Sequence, residues 1–355
     1  MIWTNKKGVA LILVISSISM LSMMMVEFTF NSQINFKISK NFQNSLKAQA
    51  LARSGVYFAM LELKVHKMIK DNPIVKQIPG FNAGMLDMIW QFGFIYPPIA
   101  SKKATFGTGK EIEELTQKSK IDGKITAQIF DEGSKINLND LENIQTRPAV
   151  IQQLDTIFEQ KKASDEEFFR KYRDLRFTDL INNIVDWIDK DRDRVGGGDE
   201  ESYYGRLPIH YQSKNTPLDT VSELALIEGF DDETIFDLLL PHITVYPTGG
   251  INVNTADSIV LLSLSPDFTE DDVKKLIEDR QKMGSFKDKN AFIKYCEEKL
   301  FKKIDPKLNL KTDSTIYSIE STGEVGGTSQ MAHVVVDTSK TGADGAPQIV
   351  YWNMN

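Results

Sequence analysis

From Gly8 to Val26 the chain runs nineteen residues without a charge, with Lys6 and Lys7 before them and Glu27 after. Wound as a helix, this stretch reaches roughly 28 Å, about the depth of one hydrocarbon core. Beyond Glu27 the apolar positions thin to a stripe. Phe28, Ile34, Ile38, Phe42 and Leu46 recur at helical spacing, and "SLKAQALARSGVYFAMLEL" continues the pattern. The segment contains no proline or turn cluster for about forty residues, so a membrane-length helix is predicted to run on into a long amphipathic one.

Period-two alternation is confined to two places. "KITAQIFD" from Lys124 alternates well, and after residue 312 come "STIYSIEST", "QMAHVVVD" and "PQIVYWN", separated by "GEVGG" and "KTGADGAP" turns. Between them the helical period rules, in "PAVIQQLDTIFEQ", "TDLINNIVDWID", "PLDTVSELALIEG", "DETIFDLLL", "EDDVKKLIEDRQ" and "KNAFIKYCEEKL". One strand before and three after imply an α+β fold with a large all-α domain inserted, because isolated strands need partners. An internal echo runs through the insertion. "KINLNDLENI" and "GINVNTADSIVLL" share Ile-Asn-x-Asn ahead of a helix, where asparagine can cap orphan N–H groups.

At 355 residues there is room for two domains. A net charge of −7 argues against a general affinity for nucleic acid or anionic membrane surfaces. A lone cysteine, Cys296, excludes an intramolecular disulfide. The sequence carries no GxSxG, P-loop, HExxH or CxxC, and its four histidines are scattered, so no enzyme is expected.

The flanking lysines hold the short N-terminal end in the cytoplasm and put the bulk outside. A secretory signal would carry an A-x-A-like site after the apolar run, where this chain reads "SMLSMMMVEF". The small residue stands before the run, at Gly8. This resembles a type IV prepilin leader, in which a dedicated peptidase cuts after the glycine, here between Gly8 and Val9, and leaves the helix on the mature chain. An uncut signal-anchor is the alternative from these residues alone; the long amphipathic continuation favours a pilin stalk. That family usually carries Glu at the fifth mature position, here Leu13. A carboxylate in hydrocarbon is costly unless paired, so its absence suggests a subunit with none above it, at a filament tip.

The strongest chemical constellation is "DWIDKDRDRVGGGDEESYYG". With Asp189 as position one, Asp191 and Asp193 fall at three and five, and Glu200 at twelve. Alternating carboxylates closed by a later acid supply the oxygens a hard cation such as Ca²⁺ needs. The match to an EF-hand is incomplete, with Arg194 where glycine belongs. Arg192 and Arg194 could instead neutralise the acids and leave a solvated loop. A second segment, "INVNTADSIVLLSLSPDFTEDDVKKLIEDRQKMGSFKDKNAFIKY", resembles a helix-hairpin-helix. Its turn carries Asp267, Glu270, Asp271 and Asp272 where phosphate would approach, and between Asn252 and Cys296 seven Lys or Arg face eight Asp or Glu. The fold without DNA binding is expected.

Leader, missing glutamate, helical insertion and acidic loop together resemble the minor pseudopilin K family of type II secretion (general secretion pathway protein K). The resemblance implies a pilin-like helix on a small antiparallel sheet, with a SAM-like or helix-hairpin-helix-like α-domain inserted. The expected division is a leader at 1–8, membrane and stalk helix at 9–65, the first part of the pilin-like domain at 66–134, the insertion at 135–310 with its second subdomain from about 215, and closing strands at 311–355. It also implies structural Ca²⁺ at Asp189, Asp191, Asp193 and Glu200, with Glu201 in reserve. The implied setting is a single-pass inner-membrane protein with a periplasmic head, processed by prepilin peptidase. Its implied partners are minor pseudopilins I and J and other pseudopilins, with secreted substrate or the outer-membrane channel as further candidates. Two rivals share parts of this pattern: a minor pilin of a type IV pilus, and a membrane-anchored helix-hairpin-helix DNA receptor.

Overall fold

The structure, a computed structural model, describes residues 6–74, 90–98, 114, 118–119, 121–342 and 345–355. Helix α1 (Lys6–Asp71) runs 66 residues unbroken and ends beyond the stalk boundary expected at 65. It has two characters. Residues 8–43 are all exposed, whereas from Asn44 onward one face is buried, through Ala48, Ala52, Val56, Ala59 and Leu63. These positions repeat every three or four residues, so a single stripe lies on the rest of the molecule.

After α1 the chain forms β1 (Phe94–Tyr96), β2 (Lys124–Asp131) and β3 (Ile136–Asn137). Helices α2 (Arg147–Ser164), α3 (Glu166–Tyr172), α4 (Phe177–Ile188), α5 (Glu201–Tyr204) and α6 (Glu233–Leu239) follow. Strands β4 (Ile243–Thr244) and β5 (Ile251–Asn252) precede helices α7 (Ser258–Leu262), α8 (Glu270–Met283) and α9 (Lys289–Tyr295). The chain closes with β6 (Leu310–Lys311), β7 (Ile316–Val325), β8 (Thr328–Thr341) and β9 (Pro347–Met354).

The main sheet has the order β1-β2-β7-β8-β9, antiparallel throughout. Strand β2 pairs with β7 from Lys124↔Glu324 to Asp131↔Tyr317. The chain therefore leaves the sheet at Asp131 and returns at Ile316, which makes everything between an insertion. In β2 alternate residues are buried, and Ile129 joins Val56, Ala59, Leu63, Ile319 and Val334 in the core under α1. Glycine lets the two layers touch. A Cβ on Gly323 would overlap the Ala48 carbonyl oxygen and stand 2.7 Å from the Ala52 nitrogen.

The insertion has its own core, with Phe158 stacked on Phe177 at 4.0 Å and Leu154, Ile181, Ile184 and Leu276 fully enclosed. It is not purely helical. Strand β3 pairs in parallel with β4, and β5 pairs in parallel with β6, so each half opens on an Ile-Asn strand and is closed by a distant one. The Ile-Asn-x-Asn echo explains this repeat. The first asparagine makes a local turn: Asn137 Oδ1 accepts the Asn139 N–H, and Asn252 Oδ1 accepts the Asn254 N–H, each at 3.0 Å. The second asparagine clasps remote backbone. Asn139 accepts from Leu218 N and donates to the Leu218 and Val245 carbonyls. Asn254 accepts from Phe286 N and donates to the Phe286 and Thr312 carbonyls. The first half thus closes at Val245, some way past the division expected near 215. The segment between belongs to the first half because Asn139 and β3 hold it there.

Two buried acids join insertion to sheet. Asp131 accepts hydrogen bonds from Gly133 N (2.7 Å), Asn252 Nδ2 (2.9 Å), Ser314 Oγ (2.8 Å) and the Thr255 hydroxyl. Glu132 accepts from Lys135 Nζ (2.6 Å), Ser318 Oγ (2.7 Å) and the Thr244 hydroxyl.

Candidate metal centre

The acidic loop hangs from the end of α4, a strongly amphipathic helix buried through Ile181, Ile184, Val185, Trp187 and Ile188. Trp187 packs edge-on against Tyr204 at 5.3 Å, anchoring the far side of the loop. Beyond Asp189 the backbone makes a small hairpin in which Asp193 bridges to Asp199. Gly196, Gly197 and Gly198 form its tip with φ of 99°, 97° and 115°. Side chains with a Cβ rarely adopt such angles, which accounts for the triple glycine.

The hairpin folds the acids back on one another. One carboxylate oxygen each from Asp189, Asp191 and Glu200 lies within 4.8 Å of the other two. Asp193 does not join this group: its backbone N–H donates to Asp191 Oδ1 at 2.9 Å and the residue continues into the hairpin ladder. Glu201 begins α5, and its side chain lies outside the described residues. Arg194 does not neutralise the cluster. Its guanidinium bonds Asn183 Oδ1 and Glu228 Oε2 and lies 3.9 Å from Asp186. The cation that reaches the cluster is Arg147, whose guanidinium stands 3.9 Å from Asp189.

One residue bordering the site is absent from the sequence reading. Asn215 adopts a left-handed backbone, φ 50°, with its N–H on the Trp187 carbonyl and its Nδ2 on the Asp191 carbonyl. Its Oδ1 is buried and accepts no hydrogen bond from any described residue, and the same holds for Asp189 Oδ1 and Glu200 Oε1. Orphaned buried oxygens are rare in folded proteins unless an ion or water meets them. Burial, reinforced by Asp191 and Asp186, raises the Asp189 carboxyl to about 6. Burial also lifts Glu200 to about 7, against a 2.8 Å hydrogen bond from Ser213. An oxygen-only donor set, crowded and under-neutralised, fits a hard divalent cation such as Ca²⁺, which takes six to eight oxygens, better than a soft metal.

The other residues singled out from sequence have structural work. Asp272 caps α8 with Thr269 and pairs with Lys302 at 3.3 Å; Asp257 caps α7 and meets His242 at 2.7 Å. Cys296 is fully buried, which pushes its thiol up to about 12. Gly8, Val9 and Leu13 all lie on the exposed half of α1.

An apolar helix long enough to cross a membrane, running on to pack on an antiparallel sheet split by a helical insertion, defines a pilin-like α+β protein. Residues 134–248 and 251–308 match two family models, each described as type II secretion system protein K. Over this insertion the chain is similar to the type II secretion system protein K family. The protein of that name from Pectobacterium carotovorum subsp. carotovorum is 32% identical over 107 residues, 28% of this chain and 32% of that protein. The one from Klebsiella pneumoniae is 32% identical over 116 residues, 31% and 35% of the two chains. The alignments thus span about a third of either curated relative. The crystal structure of the GspK-GspI-GspJ complex from the enterotoxigenic Escherichia coli type 2 secretion system contains a similar chain. Its TM-score is 0.60 at 19% identity, covering 90% of this chain and 99% of that one. That likeness is one of fold.

Proposed function

We propose that this chain is a minor pseudopilin of a type II secretion system, working as a membrane-anchored assembly subunit without catalysis of its own. The single observation that carries this reading is α1, whose first half buries nothing within the chain while its second half carries the head. An apolar rod with no intramolecular partner suits lipid first and neighbouring rods next. Prepilin peptidase would cut between Gly8 and Val9, leaving a single-pass inner-membrane protein with its head in the periplasm. Minor pseudopilins I and J are the partners proposed, since the solved complex of similar fold is named for them. Leu13 in place of the usual glutamate, together with a broad head, supports a place at the filament tip. There the head would stand toward secreted protein and the outer-membrane channel.

In this reading Asp189, Asp191, Glu200 and Asn215 hold Ca²⁺ as a structural ion. It would supply the positive charge the loop lacks and fix the hairpin against α4. The chain's own contribution is placement: Asn215 ties the Asp191 carbonyl of the loop to the Trp187 carbonyl of α4, and Ser213 orients Glu200.

The mature N-terminus tests the anchor. Mass spectrometry of the protein from membranes should find Val9 first, and affinity purification should recover pseudopilins I and J with it. A chain that begins at Met1, or after Met25, and comes out alone would overturn the proposal. Salt-sensitive DNA binding by the full chain in detergent would favour the DNA-receptor rival instead.

A further inference from the structure

Between the last turn of α5 and Leu218 the chain runs through "PIHYQSKNTP", residues 208–217, without helix or strand. Both ends of this stretch are fixed. The Leu207 N–H reaches the Tyr204 carbonyl, and Leu218 is clasped by Asn139 through its N–H and its carbonyl. The stretch itself packs little, with Ile209 81% exposed. Segments with few buried contacts open locally at small cost unless something else holds them.

What holds this one is mainly the acidic loop. Ser213 Oγ donates to Glu200 Oε2 at 2.8 Å. Asn215 donates through Nδ2 to the Asp191 carbonyl and through its N–H to the Trp187 carbonyl. Tyr211 adds a hydroxyl bond to the Leu226 carbonyl at 2.7 Å and sets its ring edge-on against Trp187 at 6.1 Å. Two of these ties therefore end on Glu200 and Asp191, each of which brings a carboxylate oxygen within 4.8 Å of the other's and of Asp189's.

Like charges this close repel, and Glu200, only 3% exposed, has little solvent to screen it. Left bare, the cluster spreads and carries its ties with it, Ser213 moving with Glu200 and Asn215 with Asp191. With a divalent cation among them the same carboxylates are drawn to one centre. Glu200 Oε1, buried and without a partner among the described residues, then gains one.

We propose that residues 208–217 form a strap fastened by the cation. Ser213 and Asn215 tie it to the acidic loop, and it lies ordered over Trp187 only while Asp189, Asp191 and Glu200 hold their ion. Released, the strap takes Tyr211 away from Trp187, which is 3% exposed in the fastened form. This rests on the reading of those three acids as a Ca²⁺ site, and adds that the site controls a distant segment as well as its own hairpin.

Hydrogen–deuterium exchange of the full chain in detergent micelles, in Ca²⁺ and in EGTA, reads the strap directly, with calorimetry on the same protein. Amides within 208–217 are expected to exchange about fivefold faster or more in EGTA, while β7 and β8 change less than about twofold. Ser213→Ala combined with Asn215→Gly, at saturating Ca²⁺, should bring the two conditions within about twofold over 208–217. Ca²⁺ binding by calorimetry with unchanged exchange over 208–217 would overturn the strap and leave the cation site standing. No Ca²⁺ binding would overturn both. Slowing spread evenly over the whole chain, or a Ca²⁺ effect undiminished in the folded double variant, would also overturn the strap. The wild-type comparison decides the matter even if the double variant fails to fold.

Discussion

Asn215 carries information no neighbouring residue advertises. It sits fifteen positions past Glu200 in "KNTPLD", a stretch without an acid pattern, and reaches the loop by a left-handed turn. Asn215→Gly keeps that turn accessible but deletes the oxygen. Calorimetry should show Ca²⁺ affinity falling about tenfold, near 1.4 kcal/mol, with the Asp191→Ala chain at least as weak. Asp193→Ala, outside the cluster, should bind as wild type; if it bound no Ca²⁺, the ligand set would have to be redrawn. Protons compete for the same oxygens. Without metal, Asp189 sits near 6 and Glu200 near 7, both raised chiefly by burial. A carboxyl raised on folding gives stability that is present at low pH and lost as pH climbs through the folded value, while Ca²⁺ takes the ionised form. The rise in melting temperature on adding Ca²⁺ should therefore be larger at about pH 8 than at about pH 5.5. An equal rise at both would mean these carboxyls do not bind the ion.

Among the elements, the joint between sheet and insertion is the most exacting. Asp131 receives four donors from β5, the loop after it, the segment before β7 and its own turn. Asp131→Ala would strand them in a buried site and should cost about 3 kcal/mol, read as a lower urea midpoint. A loss under about 1 kcal/mol would show that the joint relaxes around the gap. The α1–sheet contact sets a second limit. Gly323→Val, pressing side-chain bulk against the Ala48 and Ala52 backbone, should destabilise by roughly 1–3 kcal/mol or lift the helix off β7. Elements whose period is local were legible from sequence. Strand β2 alternates, β7 to β9 stand between glycine-rich turns, and α1 is continuous, although the stripe read from Phe28 to Leu46 is exposed and the buried one runs from Ala48 to Leu63. The two-residue strands β3 to β6 were not legible, because a pair of residues has no period and their partners lie 59 or 107 positions away.

The molecule as a whole divides at Asn44 of α1, where burial begins. A chain lacking residues 1–26 should leave the membrane fraction on alkaline extraction while its head melts at an unchanged temperature. A drop of several degrees would mean that the exposed half of α1 supports the head after all. The same division accounts for the two cores, one under α1 and one within the insertion, joined through Asp131 and Glu132.

By itself the sequence determined the apolar rod, the alternating strands, the helical insertion between them and the crowding of acids after α4. These follow from hydrophobic period and charge density, which neighbouring residues carry. Only the tertiary structure decided that Asp193 leaves the acid cluster while Asn215 comes to border it. It also decided that the asparagine echo is a pair of backbone clasps. Those outcomes depend on which distant segments meet, and hydrogen-bond partners across a hundred residues leave no local trace.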